Sequence, residues 1–77
     1  MSDTLARVKK VTAETLKIDE SMIKDDSRFV EDLGAESIQS VELVAAFEEE
    51  FDIEMDEQGA LGVKDVGGAV AFIEKHL

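Results

Sequence analysis

Three stretches of this chain repeat their apolar side chains at intervals of three and four, a period that only an α-helix gathers onto one face. Leu5, Val8, Val11, Thr12 and Leu16 set the first and predict an amphipathic helix from about Asp3 to Leu16. The second is expected from Ser37 to about Glu50, with Leu43, Val44, Phe47 and Phe51 on its inner side. The third should begin near Asp65, a good N-cap residue, and run to the C-terminus on Val66, Ala69, Val70, Ile73 and Leu77. The chain contains no proline to break them, and its many Ala, Glu, Leu and Lys residues favour helix. A length of 77 residues permits one domain, spanning 1–77. The expected fold is all-α: a small four-helix bundle of three main helices and one short one, with a long first loop.

Between the first two helices, from Lys17 to Glu36, the period is lost. Single apolar residues (Ile18, Met22, Ile23, Phe29 and Leu33) alternate there with acids, Ser27 and Gly34, which reads as a loop with room for one short turn, pinned to the core by those side chains. So long a loop in a compact domain is usually functional. Phe51 to Gly62 reads as a shorter connection holding one helical turn. Gly67 and Gly68 should weaken the start of the last helix by roughly 1 kcal/mol each relative to alanine.

Charge narrows the range of partners. The formal net charge is −11, from 19 acidic and 8 basic residues. Residues 1–28 hold six acids (Asp3, Glu14, Asp19, Glu20, Asp25, Asp26) and six bases (Arg7, Lys9, Lys10, Lys17, Lys24, Arg28), so the whole excess lies from Phe29 onward, where only Lys64 and Lys75 are basic. Nucleic acid and anionic membrane would be repelled; partners with basic docking patches would be attracted. A solvated, solubilising surface is the simpler use of such charge, and its localisation is what raises a docking face beside it. The chain has no cysteine, so there is no disulfide framework and no thiolate metal site, and a reducing cytoplasm fits. No apolar signal core opens the chain, and no run is long enough to insert across a bilayer. A domain of this size buries only about 60% of its unfolded surface, so a deep catalytic cleft is not expected.

The second helix carries more apolar surface than a core requires. At about 100° per residue, with Leu43 at zero, Phe47, Phe51 and Val44 fall near 40°, 80° and 100°. Ile38, Val41 and Ala45 fall near 220°, 160° and 200°, on the far side. This second stripe is edged by Glu42, Glu48 and Glu49. It reads either as a docking surface with an apolar centre and acidic rim, or as ordinary exposed Val and Ala. Elsewhere, chemistry is missing. His76 is the only histidine and has no partners for a triad or a zinc site; a solvated position near a helix C-terminus is expected. Asp52, Glu54 and Asp56 begin like a calcium loop, but Glu57 stands where glycine is needed and Val63 where glutamate is needed. Nothing supports acid–base catalysis or a phosphate-binding glycine loop, so no enzyme activity is expected.

Ser37 remains. It can be a plain helix N-cap, with Ser40 three residues on and hence no full capping box. It can also be an attachment point: a hydroxyl at a helix start, after a flexible Gly34-Ala35 turn, where a phosphate diester would meet free N–H groups and the positive end of the helix dipole.

The run Glu31-Asp32-Leu33-Gly34-Ala35-Glu36-Ser37-Ile38, followed by Val41-Glu42-Leu43-Val44 and Phe47-Glu48-Glu49-Glu50-Phe51, resembles acyl carrier proteins, and the similarity continues through Ile53-Glu54-Met55 to the final helix. The resemblance implies a non-enzymatic bundle on which a phosphopantetheinyl transferase moves 4'-phosphopantetheine from coenzyme A to Ser37. The arm's thiol then holds acyl groups as thioesters, and the bundle interior can shelter the chain. It further implies that acyl-transferring and acyl-modifying enzymes of fatty acid, polyketide or related lipid biosynthesis dock at Glu36, Ile38, Val41, Glu42, Ala45, Glu48, Glu49 and Glu57, with the carrier acting as a monomer. The family usually has Asp at the position of Glu36, Leu at Ile38, an acid at Gln39 and a bulkier residue at Ala45. Gly59, Leu61 and Gly62 replace more polar, helix-favouring residues. These departures suggest a specialised rather than a main fatty-acid-synthesis member. An aminoacyl carrier and an unmodified acidic adaptor that only binds proteins are the competing expectations.

Overall fold

The computed structural model describes residues 3–77. Four α-helices follow one another: α1 (Asp3–Leu16), α2 (Ser37–Phe51), α3 (Glu57–Leu61) and α4 (Val66–Glu74), with a single 3₁₀ turn at Glu20–Met22. α1 lies against both α2 and α4, and short α3 packs on α2. The described residues contain no strand, so the architecture is the all-α bundle that the apolar periods demand.

The core forms where the three long helices turn their inner faces together. Val8, Val11 and Leu16 come from α1, Leu43, Phe47 and Phe51 from α2, and Val66, Ala69 and Ile73 from α4. Each large side chain so buried contributes about 1.5–3 kcal/mol. α1 and α2 each close through a residue in the left-handed region. Lys17 (φ 59°) follows α1, where the Ile18 N–H donates to Ala13 O at 3.0 Å. Asp52 (φ 55°) follows α2, where the Ile53 N–H donates to Glu48 O at 3.1 Å. These bonds satisfy carbonyls that a helix end otherwise leaves orphaned. Arg7 fastens the start of α1 to the end of α2. Its guanidinium lies 4.3 Å from the Phe51 ring centroid, its Nε donates to Glu50 Oε2 at 2.8 Å, and its Nη2 donates to the Glu50 carbonyl at 2.6 Å.

The long first loop is a bonded structure. The Ser21 N–H donates to Asp19 Oδ1 at 2.9 Å and caps the 3₁₀ turn, and the Lys24 N–H donates to the buried Ser27 hydroxyl at 2.8 Å. The loop then pairs antiparallel with the connection before α4: the Phe29 N–H donates to Lys64 O at 3.0 Å and the Val66 N–H to Ser27 O at 2.9 Å. Ile23 and Phe29 are buried, and Ile18 and Leu33 pack partly against the core, as the sequence leads one to expect. Met22 does not: it is 59% exposed, because the 3₁₀ turn points it outward.

α4 begins where expected and departs from expectation at its C-terminal end. It stops at Glu74 rather than running to the C-terminus, and Leu77 is 68% exposed instead of joining the core. Its start is fixed by Asp65, whose Oδ1 accepts from the Gly68 N–H at 2.7 Å. A Cβ on residue 68 would lie 2.8 Å from that same oxygen, so the glycine that lowers helix propensity is also what lets the cap close. His76 is exposed, as expected, with Nδ1 2.9 Å from the Phe72 carbonyl.

Candidate functional site

The segment that delivers the chain to α2 is folded on itself. The Arg28 carbonyl accepts from the Asp32 and Leu33 N–H groups, both at 3.0 Å, and the Gly34 N–H donates to Val30 O at 3.2 Å. Asp32 Oδ2 accepts from the Arg28 N–H at 2.9 Å and faces Arg28 Nε at 3.3 Å. That backbone donor, and then the guanidinium, hold the Asp32 carboxyl below the usual carboxylate range. Gly34, at φ 74°, takes the left-handed turn that a side chain would resist. Ala35 is the anchor. It is buried, and its N–H donates to Phe29 O at 2.8 Å, so the expected flexible Gly34-Ala35 turn is in fact pinned at its second residue.

Beyond that anchor the chain emerges to solvent. Glu36 is the N-cap, and Gln39 Oε1 accepts from its N–H at 2.8 Å, one arm of a capping box. The sequence placed the cap one residue later, at Ser37, and therefore missed Gln39 as the partner three residues on. Ser37 is the first residue of α2 and is exposed. The first backbone bond within the helix is Ser40 N–H to Glu36 O at 3.0 Å, so the N–H groups of Ser37 and Ile38 precede any intrahelical acceptor. An exposed hydroxyl beside those donors, at the positive end of a 15-residue helix, fits a covalently attached phosphate diester.

The remaining candidate residues lie along α2 and at the start of α3. Ile38 is 68% and Val41 48% exposed, and Ala45 is exposed with them on the face opposite buried Leu43, Phe47 and Phe51. Glu36, Glu42 and Glu49 are exposed, as is Glu57 in the first turn of α3. Glu48 differs. It is half-buried, and its Oε2 accepts from the Met55 N–H at 2.8 Å, which ties α2 to the connection before α3.

Residue-level reading of the sequence overlooked the lining of the interior. A cavity of about 230 Å³ opens between α2, α3 and the two segments that pair at Phe29 and Lys64. Leu43, Val44, Phe47 and Met55 line it, with Glu31, Ser40 and Lys64 as its polar members. Ser40 is the one signal available beforehand: three residues after Ser37, it must share that residue's side of the helix. Among the described residues there is no acid, histidine and cysteine cluster able to hold a metal ion, and no helix long and apolar enough to cross a membrane.

The structure thus shows a small helical domain with a pinned turn, an exposed serine opening α2 and an apolar cavity further along the same helix. The family model described as a phosphopantetheine attachment site matches residues 6–73. A protein of Phenylobacterium zucineum (strain HLK1) named acyl carrier protein is similar at 48% identity, over 100% of this chain and 98% of its own length. The chain belongs to the acyl carrier protein family. It is thus a carrier rather than an enzyme, and its cofactor is 4'-phosphopantetheine.

Proposed function

We propose that Ser37 bears the phosphopantetheine arm and that the protein, one domain over residues 1–77, delivers acyl thioesters in the cytoplasm to enzymes of fatty acid or related lipid and polyketide biosynthesis. The observation that carries this is the position of Ser37: exposed, first in α2, held out by the buried Ala35 and next to free backbone donors. When bound, the arm supplies a thiol that holds the acyl group as a thioester. The chain's own residues do the rest. The Ser37 and Ile38 N–H groups and the helix dipole stabilise the phosphate charge. Ile38, Val41 and Ala45 offer an apolar centre to a docking enzyme. Glu36, Glu42, Glu49 and Glu57 offer an acidic rim, which steers basic patches of a phosphopantetheinyl transferase and acyl-processing enzymes toward Ser37. Glu48 contributes charge while holding Met55. The apolar lining of the cavity favours aliphatic over aminoacyl cargo, since a buried ammonium would find few partners there.

Incubation with coenzyme A and a broad-specificity transferase tests the assignment. The protein should gain one arm by intact mass, and Ser37→Ala should gain none. Ser37→Ala that still takes up the arm would place the attachment elsewhere.

A further inference from the structure

Asp32 stands five residues before Ser37, outside the acidic rim of α2. We propose that it is a positioning residue for attachment of the arm, acting through the backbone turn that its carboxylate closes; this rests on Ser37 bearing the arm. From Arg28 to Leu33 the backbone makes one helix-like winding, with the Asp32 and Leu33 N–H groups on the Arg28 carbonyl. A single winding fixes several dihedrals for few hydrogen bonds and does not persist unaided. Two further ties hold this one. The Phe29 N–H reaches across to Lys64 O at 3.0 Å, and Asp32 Oδ2 returns to the Arg28 N–H at 2.9 Å, so the last part of the winding caps its first residue. The Arg28 guanidinium adds longer contacts to the same carboxylate, at 3.3 and 3.5 Å, and both side chains are about half exposed, so its share is small. What the turn fixes is the approach to α2. The Gly34 and Ala35 N–H groups both donate back to carbonyls inside the turn, those of Val30 and Phe29. If the turn opens, these acceptors move and Ala35 loses its backbone hold. Gln39 still caps α2 at Glu36, so the helix survives but starts from a loose end. The docking face further along α2 is untouched. The loss therefore falls on how well the Ser37 hydroxyl is aligned once a transferase has bound, and less on binding itself.

The test is the steady-state rate of arm transfer from coenzyme A by a broad-specificity transferase, at low and at moderate ionic strength. Asp32→Ala should lower kcat about tenfold, the lower end for a hydrogen bond to a charged group because this one is exposed, and leave KM within about twofold. A charge-assisted bond is roughly twice as strong as a neutral one. Asp32→Asn keeps an oxygen for the Arg28 N–H and should therefore fall only about threefold below the wild type. Arg28→Gln keeps the backbone donor and should stay within about twofold of the wild type. Hydrogen exchange at the Ala35 N–H should quicken in Asp32→Ala. Ile73→Val, a loosening of the buried α4 core of similar cost, should leave kcat unchanged. An unaltered kcat in Asp32→Ala would overturn the proposal. So would equal losses in Asp32→Ala and Asp32→Asn that lie in KM and fade with salt, since these mark a docking carboxylate. Arg28→Gln as slow as Asp32→Ala would assign the effect to the ion pair, and Ile73→Val as slow would assign it to general loosening; either result overturns the proposal. A wild-type protein that takes up no arm at Ser37 would instead overturn the attachment site on which the proposal stands.

Discussion

Replacing Thr12 by valine should stabilise the protein. Thr12 lies in the middle of α1, is 0% exposed, and its Oγ1 finds no hydrogen-bond partner among the described residues. A buried hydroxyl without a partner costs about 1–3 kcal/mol of lost hydration. Valine keeps the branched shape and its single preferred rotamer in a helix, so neither packing nor propensity should change much. The methyl group that replaces the hydroxyl adds apolar contact with the core formed by α2 and α4. The net gain should be about 1–3 kcal/mol, which for a domain of this size raises the melting midpoint by roughly 6–19 °C. Thermal and urea melts followed by circular dichroism, at one protein concentration and ionic strength, measure it. The urea slope should stay constant, which marks a change in stability alone. An unchanged or lowered midpoint would refute the reasoning and mean that the hydroxyl is satisfied by the carbonyl one turn back on α1.

Three further outcomes follow from the charge and its placement. The Glu42→Lys/Glu49→Lys double variant should slow modification and acyl transfer at low ionic strength, with the gap closing as salt is added and stability changing by less than about 0.5 kcal/mol per site; equal rates at low salt would leave those carboxylates as mere solvated surface. Salt should raise the melting midpoint, because screening weakens the self-repulsion of a −11 chain whose excess lies in residues 29–77; melts that coincide at low and moderate ionic strength would contradict this. Asp19 and Asp32 have lowered folded-state values, through the Ser21 and Arg28 N–H groups respectively, so their stabilising contribution is present above about pH 4 and is lost as pH falls through those lowered values. The double variant Asp19→Asn/Asp32→Asn should therefore flatten the acid limb of a stability profile, and an unaltered limb would count against both hydrogen bonds.

The helices and their inner faces were readable because they depend on local period. Leu43, Phe47 and Phe51 lie about one turn apart along α2, and no distant contact was needed to place them on its buried side. The start of α2 at Ser37 was readable, but its cap only to within a residue. Glu36 and Ser37 both suit a helix start, and the choice fell to the Gln39 side chain, which reaches back to Glu36 rather than forward. Long-range backbone pairing leaves no such local trace. The bonds from Phe29 to Lys64 and from Val66 to Ser27 join segments more than thirty residues apart, and nothing in their composition announces a bridge. The same holds for Arg7 over Phe51, and for the exact placing of Glu48, which serves as a rim carboxylate by sequence and as the acceptor for the Met55 N–H in the fold. Thr12 is the instructive case: its spacing assigns it correctly to the buried face, while the lack of a partner for its hydroxyl is visible only once the neighbours are in place.

Intact-mass and peptide-fragment mass spectrometry of the protein purified from its native host tests the carrier account most directly, because it reads the arm, its site and its cargo together. The account predicts a phosphopantetheine adduct on the peptide containing Ser37, part of it bearing an aliphatic acyl group as a hydroxylamine-labile thioester. Protein that is uniformly unmodified, or modified on a peptide lacking Ser37, would contradict it.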